Sequence, residues 1–368
     1  MAACAYAHFL QYGLGLKERQ EFGFEAVDMG NVYHGVLELF AGKLEEKSYS
    51  WISFPEEEGK RLLHEALESY AINYGNTVLF SSARYAYGME KMERILWRTV
   101  KTMQFQLQAG KFSPRQYEIS FSALEDLEAV TIRLSEEEKL RLGGRIDRLD
   151  TYEEGEKLYV KVMDYKSGHR QFQLALLYHG LQLQLVVYLN AAMELEKKKH
   201  PDKEIVPAAF FYYHIADPMI DGEEGLSEEE IEQRIRKELR VTGVINSDEQ
   251  VLKGLDSSGE SKSQVIPVEY KTDGTLSSRS SVMDQEQIRL LLDYSRKKAG
   301  ELGRQIGEGE VSMNPCEVNQ ADACAYCAFK SICSFEEKIP GYEKRRLENE
   351  DEEILWDHIR NKLQNEEE

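Results

Sequence analysis

Two aspartates and a lysine lie in the arms of a hairpin motif, "GGRIDRLDTYEEGEKLYVKVMDYKSG": Asp147, Asp164 and Lys166. The turn signal is Glu153-Glu154-Gly155-Glu156-Lys157. If the turn is centred between Gly155 and Glu156, residue i pairs with residue 311 minus i, and Asp147 faces Asp164. Directly opposed side chains have β-carbons about 4.5–5.5 Å apart. Carboxylates that close repel unless positive charge lies between them, and hard oxygen ligands around a partly caged ion are a magnesium or manganese pattern. Lys166, two residues after Asp164, points to the same face. An ammonium there can orient an attacking water or neutralise phosphate charge. The unit D-x16-D-x-K is thus a phosphodiester-cleavage constellation, although its spacing also fits an exposed hairpin with ordinary surface charges.

Other polar residues fall where apolar ones are the norm. Glu118 lies inside an earlier strand, "RQYEISFSAL". His34 and Glu38 stand at i, i+4 and share a helix face, as do Gln184 and Tyr188. Packed histidines and helix-to-strand hydrogen bonds are the simpler readings of those two pairs. Of five cysteines, Cys324, Cys327 and Cys333 form C-x2-C-x5-C, Cys4 is almost at the N-terminus, and Cys316 has no obvious partner. Clustered thiols in a reducing compartment point to metal rather than disulfides, and four thiolates suit zinc and an iron–sulfur cluster equally.

The elements that must position these residues follow from periodicity. The chain opens with a short apolar-aromatic helical piece. A second helix places Val32, Val36, Leu39 and Phe40 on one stripe, with Asp28 as N-cap. Residues 56–75 and 86–110 read as further helices. From Pro114 the pattern turns β-rich, the hairpin follows, and residues 179–199 form a helix apolar nearly all round its first half. "IVPAAFFYYHI" reads as a central strand and "DQEQIRLLLDYSRKKAGELGRQIGEG" as an amphipathic helix. The expected organisation is α/β. It comprises an N-terminal helical region (1–112), a core sheet with its helix (113–215), a polar insertion of helix and loops (216–281), a helix with the cysteine cluster (282–340) and an acidic helical tail (341–368).

The 368 residues, 42% apolar and 10% aromatic, suffice for a sizeable core. No apolar run of about 18 residues suggests a membrane span, and the N-terminus lacks a secretory pattern, so a cytoplasmic location is the default. A net charge of -20 argues against a surface that grips nucleic acid everywhere, while leaving room for a local basic groove. Arg145, Arg148, Lys161 and Arg170 are the phosphate contacts such a groove would use. Much of the acid, in "DGEEGLSEEEIEQ" and in the tail, reads as solvated faces.

In order along the chain, H-x3-E, Glu118, G-x-x-D-R-x-D (Gly144 to Asp150), D-Y-K, Q-x3-Y and a cysteine triplet closed by Cys4 resemble the RecB-like nucleases of the PD-(D/E)XK superfamily. "DYKSG", "YHGLQLQLVVYL" and "CAYCAFKSICSFEEK" are similar to the C-terminal nuclease domain of the AddB component of AddAB-type helicase–nucleases. The resemblance covers the chain from Cys4 to about Phe335. It implies a restriction-endonuclease-like core: a central mixed sheet flanked by helices, stapled by the cysteines. His34, Asp147, Asp164 and the Tyr165 carbonyl would hold Mg2+ (or Mn2+), and Lys166 would be the catalytic lysine. Glu118 matches the acidic residue of the preceding strand; Gln184 and Tyr188 match a motif that contacts DNA or orders the site. Cys4, Cys324, Cys327 and Cys333 would ligate a [4Fe-4S] cluster that holds the N-terminal helices against the sheet. The implied activity is exonucleolytic degradation of the 5'-ended single strand beside an AddA-like helicase–nuclease partner. No helicase-like region precedes Cys4, so neither unwinding nor ATP use is expected of this chain. An inactive cluster-stapled DNA-binding scaffold and a Cas4-like stand-alone exonuclease are the rival readings.

Overall fold

The computed structural model describes residues 1–19, 23–24, 26–220, 225–318 and 321–364. A short helix α1 (Ala5–His8) runs into a π-helical turn. Three long helices follow: α2 (Ala26–Glu46), α3 (Glu56–Asn73) and α4 (Ala83–Gln108). Three glutamates occupy the first turn of α3, where the helix dipole favours them, and Ser82 caps α4 by accepting from Tyr85 N. In α2, Val32, Val36, Leu37, Phe40 and Leu44 are buried. Leu39 is instead exposed, because the stripe turns through Leu37. Asp28 is not the N-cap: the helix starts at Ala26, and Asp28 accepts a hydrogen bond from Tyr74 OH within the first turn.

Strand β1 (Ser113–Ser120) leads to a small ribbon, β2 (Thr131–Arg133) and β3 (Lys139–Arg141), then to the hairpin β4 (Arg145–Glu154) and β5 (Lys157–Lys166). Helices α5 (Leu174–Tyr178) and α6 (Gln184–Lys199) return the chain to β6 (Glu204–His214). The segment 216–281 is more than helix and loops. Besides α7 (Glu228–Glu238) and α8 (Glu249–Leu255) it supplies β7 (Thr242–Asn246), which buries Val244 and Ile245 in the sheet. Five residues are too few for a periodic pattern to stand out from the polar sequence around them. The remaining elements are β8 (Val282–Met283), α9 (Gln285–Gly307), β9 (Cys316–Val318), β10 (Ala321–Asp322), α10 (Lys330–Cys333), β11 (Arg345–Arg346) and α11 (Glu352–Gln364). No helix among the described residues is long and apolar enough to cross a membrane.

The main sheet has the order β1-β4-β5-β6-β7-β8. It is mixed: β1/β4, β4/β5 and β6/β7 run antiparallel, β5/β6 and β7/β8 parallel. One face packs against α2, α3 and α4 through residues such as Tyr159, Met163, Tyr165, Phe211 and Tyr213. The other, through Val160, Val162 and Phe210, packs against α6 and α9. The acidic tail is not wholly solvated, since α11 buries Leu355, Trp356 and Ile359 in that second layer. A three-layer α/β architecture results, with the hairpin inside it and buried on both faces.

Where β6 and β7 pair, Gly243 has φ +139°, and a Cβ there would lie 2.1 Å from the Phe210 carbonyl oxygen. Only glycine admits this approach. Gly243→Ala is therefore expected to cost about 1–3 kcal/mol, which scanning calorimetry would read as a melting midpoint several degrees lower.

Candidate active site

The hairpin pairs as Arg148↔Met163 through Glu154↔Lys157, the register that the Gly155 turn implies. Asp147 stands one step beyond the last rung, across from Asp164. On its other side β1 pairs Tyr117↔Arg148 and Ile119↔Ile146, which sets Glu118 beside Asp147. Three neighbouring strands thus bring Glu118, Asp147 and Asp164 into one row. Glu118 has φ +49°, an uncommon conformation for a non-glycine residue. Such strain persists only where surrounding structure enforces it.

His34 reaches this row from α2. Its Nδ1 lies 3.3 Å from Asp147 Oδ1 and 3.6 Å from Glu118 Oε1, and its Nε2 is 3.0 Å from the Tyr165 carbonyl oxygen. Among the described residues, His34, Glu118 and Asp147 offer ligand atoms all within 4.8 Å of one another. Tyr165 N donates to Asp147 Oδ2 at 2.6 Å, so the backbone after Asp164 braces the opposite carboxylate. Arg145 Nη1 holds Glu118 Oε2 at 3.0 Å. Lys166 Nζ lies 2.5 Å from Asp164 Oδ2, while Gln184, from the opposite layer, donates to Asp164 Oδ1 (3.1 Å) and to Tyr188 OH (2.8 Å). Tyr188 OH in turn accepts from Arg145 N. Every residue of the sequence-derived site therefore converges here, His34 from one face of the sheet and Gln184 and Tyr188 from the other. Glu38 is exposed and outside the His34 group, though its carboxyl is pushed up by burial and by the Glu118 charge.

The electrostatics suit a cation. Asp164 is buried, and its carboxyl is pushed up to about 6, first by desolvation and then by the Asp147 charge, with Lys166 and His34 opposing. Burial disfavours the His34 imidazolium, yet hydrogen bonds to Asp147 and Glu118 outweigh it and push the pKa up to about 10. Glu118 feels burial as well, but His34 and Arg145 hold its carboxyl below the usual range. Glu118 Oε1 and Asp164 Oδ2 are buried oxygens met by charged neighbours, His34 at 3.6 Å and Lys166 at 2.5 Å. The donor set of imidazole, carboxylates and a carbonyl fits magnesium or manganese.

The expected basic groove is only partly present. Arg148 and Lys161 are buried: Arg148 clamps Asp150 with bonds of 2.8 and 2.9 Å, and Lys161 Nζ lies 2.9 Å from the same carboxylate. Strand alternation is the reason, since it turns 148, 150 and 161 toward α4, where Arg148 also meets Met103. Arg145 and Arg170 are exposed, the former engaged with Glu118.

The cysteines meet at the other end of the chain. Cys4, Cys324, Cys327 and Cys333 line one pocket with Tyr6, Phe329 and Phe335. Ala3 O accepts from Cys316 N, Tyr6 N donates to Ser312 O, and Arg345 Nη2 donates to Ala2 O, so the N-terminus is stitched to residues 312–316 and 345. Cys316 is buried in β9 and is not part of the pocket lining. Burial, then Asp322 and the neighbouring thiols, push Cys324 up to about 11.

A family model described as the PD-(D/E)XK nuclease superfamily matches residues 1–334. The chain belongs to that superfamily. Its relatives include a protein of Lachnoclostridium phytofermentans named as the B subunit of an ATP-dependent helicase/deoxyribonuclease, 44% identical over 98% of this chain and 31% of that protein. A protein of the same name from Clostridium kluyveri is 35% identical over 99% of this chain and 32% of its own length. The chain thus spans about a third of the length of these relatives. For a PD-(D/E)XK nuclease the mixed sheet and its flanking helices are the expected fold.

A carboxyl with a raised folded-state pKa contributes stability that is complete below its unfolded value and lost as pH rises through the folded value. For Asp164 that window runs from 3.8 to about 6. In EDTA, Asp164→Asn is therefore expected to melt above the parent at pH 7.5, with the gap closing at pH 3.5. Added Mn2+ should stabilise the parent and leave the variant nearly unmoved. Thermal melts with and without metal check both.

Proposed function

We propose that the chain is a divalent-metal-dependent nuclease unit that hydrolyses single-stranded DNA, the 5'-ended strand, in helicase-coupled processing of double-strand breaks during recombinational repair. The observation that carries this reading is the carboxylate row, with His34 and the Tyr165 carbonyl at one side and Lys166 at the other. Asp147, Asp164, His34 and the Tyr165 carbonyl would hold Mg2+ or Mn2+, with Glu118 adjoining. An ion there supplies Lewis-acid charge against a phosphate oxygen. Lys166, next to Asp164, is placed to orient the attacking water and to meet negative charge that develops on the phosphate. Gln184 holds Asp164, and Tyr188 holds Gln184 and the backbone of Arg145, so both act by positioning. The relatives' name supports the helicase-coupled setting and an AddA-like partner.

The four pocket cysteines are proposed to ligate a [4Fe-4S] cluster. The resemblance to the AddB-type nuclease domain favours the cluster over tetrahedral zinc, which four thiolates would also suit, and its role here would be structural.

Two measurements test these assignments. The parent with Mg2+ is expected to degrade labelled single-stranded DNA, and Asp164→Ala or Lys166→Ala to slow it by roughly 100-fold or more; equal rates would overturn the nuclease reading. Anaerobically purified protein is expected to be brown with about four irons per chain, and Cys327→Ser to lose both. A colourless zinc protein would overturn the cluster.

A further inference from the structure

Beside the carboxylate row lies a set of rings that the reaction does not use. Tyr70, in the last turn of α3, and Tyr74, the extended residue just past its end, are half-buried and stacked, with centroids 5.8 Å apart and planes at 26°. Phe24 meets Tyr74 and Tyr85 edge-on at 6.2 and 6.3 Å. These rings border the apolar core rather than fill it.

Their position is set by the helix that carries His34. The next residue is Gly35, where a Cβ would lie 1.9 Å from Tyr70 Cε2 and 2.5 Å from Cζ. The phenol end of Tyr70 therefore rests on the α2 backbone directly beside His34. The ring also feels the site: burial, Glu118 and Glu38 push the phenol pKa up, and Arg145 opposes them. Tyr74 is tied to the same helix, its hydroxyl donating to Asp28 Oδ1 at 2.7 Å and accepting from Asn31 Nδ2 at 3.5 Å. Stacking and tethering together make the pair a rigid surface, which loses little conformational freedom when something is laid on it.

We propose that Tyr70 and Tyr74 form a stacking subsite for an unpaired base next to the scissile phosphate. This rests on the single-strand nuclease reading and names how that site selects its substrate. Arg148 and Lys161 are buried, and Arg145 and Lys166 at the row are engaged with Glu118 and Asp164, so the cations there are largely committed to its carboxylates. The face of a base is uncharged, and stacking on an aromatic ring does not depend on phosphate contacts. Bases inside a duplex have no free face, so a platform beside the cleavage centre favours strands already unwound.

The test uses the chain with short single strands carrying 2-aminopurine at successive positions, in Ca2+ to hold back cleavage, read by fluorescence and anisotropy. In the parent and in Tyr70→Phe, the probe at one position near the bound end is expected to be quenched. Tyr70→Leu should lose that quenching and bind roughly 10-fold more weakly. A strand abasic at that position should bind parent and Tyr70→Leu equally. Should Tyr70→Leu fail to fold, Tyr74→Leu carries the same comparison. Equal quenching and affinity in the Leu and Phe variants would overturn the subsite, as would a parent that binds without quenching any position, which would assign the rings to a protein partner. Cleavage by the parent in Mg2+ is scored separately. A parent that does not cleave overturns the nuclease reading, whereas one that cleaves without base stacking overturns the subsite alone.

Discussion

Three carboxylates forced into one row across adjacent strands are the constraint from which the rest of this structure follows. Glu118, Asp147 and Asp164 stand side by side on β1, β4 and β5, two of them buried beyond the reach of water's screening. Like charges at that spacing destabilise a fold unless opposite charge is brought in. The protein brings it from every side: the His34 imidazolium from α2, Arg145 from the start of β4, and Lys166 from the end of β5. The strained backbone at Glu118 and the raised pKa of Asp164 mark what remains uncompensated. His34 is one of the donors that would hold a divalent ion, and a metal must displace the proton that Asp147 and Glu118 favour on its ring.

The layers on either side of the sheet divide the labour. The helical layer of α2, α3 and α4 places His34 by burying Val32, Val36, Leu37 and Phe40 around it in sequence. The layer of α6 and α9 places Gln184 and Tyr188. Strand alternation then separates two charge systems within one hairpin. Residues 147 and 164 face the site, while Arg148, Asp150 and Lys161 face the helical core as a closed ion network beneath it. Buried ion networks stabilise little by comparison with well-packed apolar groups, but removing one partner leaves an uncompensated charge. Elsewhere, backbone hydrogen bonds and Arg345 tie residues 2–6 to 312–316 and 345, while α2 has its own apolar anchorage.

What could be read from the sequence was whatever depended on local geometry. A single glycine turn set the hairpin register, and from it the opposition of Asp147 and Asp164. Helix periodicity located α3, α4 and α9 to within a few residues. Motif order brought His34, Glu118, Gln184 and Tyr188 into the same site. What was not legible depended on the third dimension. Arg148 and Lys161 have the composition of phosphate contacts, and only the direction of the pleat buries them. β7 is too short to rise above its polar surroundings. Asp28 has cap chemistry but lies inside α2, where it accepts a hydrogen bond from Tyr74 OH. Tyr70 carries no spacing signal at all; its trace is the glycine at 35, whose missing side chain makes sense only once α3 is packed on α2.

The central claim is that the acidic row clasps a divalent ion together with His34. Anomalous scattering from crystals of the protein soaked in Mn2+ tests it most directly. The expected result is a peak bounded by His34, Asp147, Asp164 and the Tyr165 carbonyl. Manganese bound only elsewhere, with His34 still bridging Asp147 and the Tyr165 carbonyl at saturating metal, would contradict it.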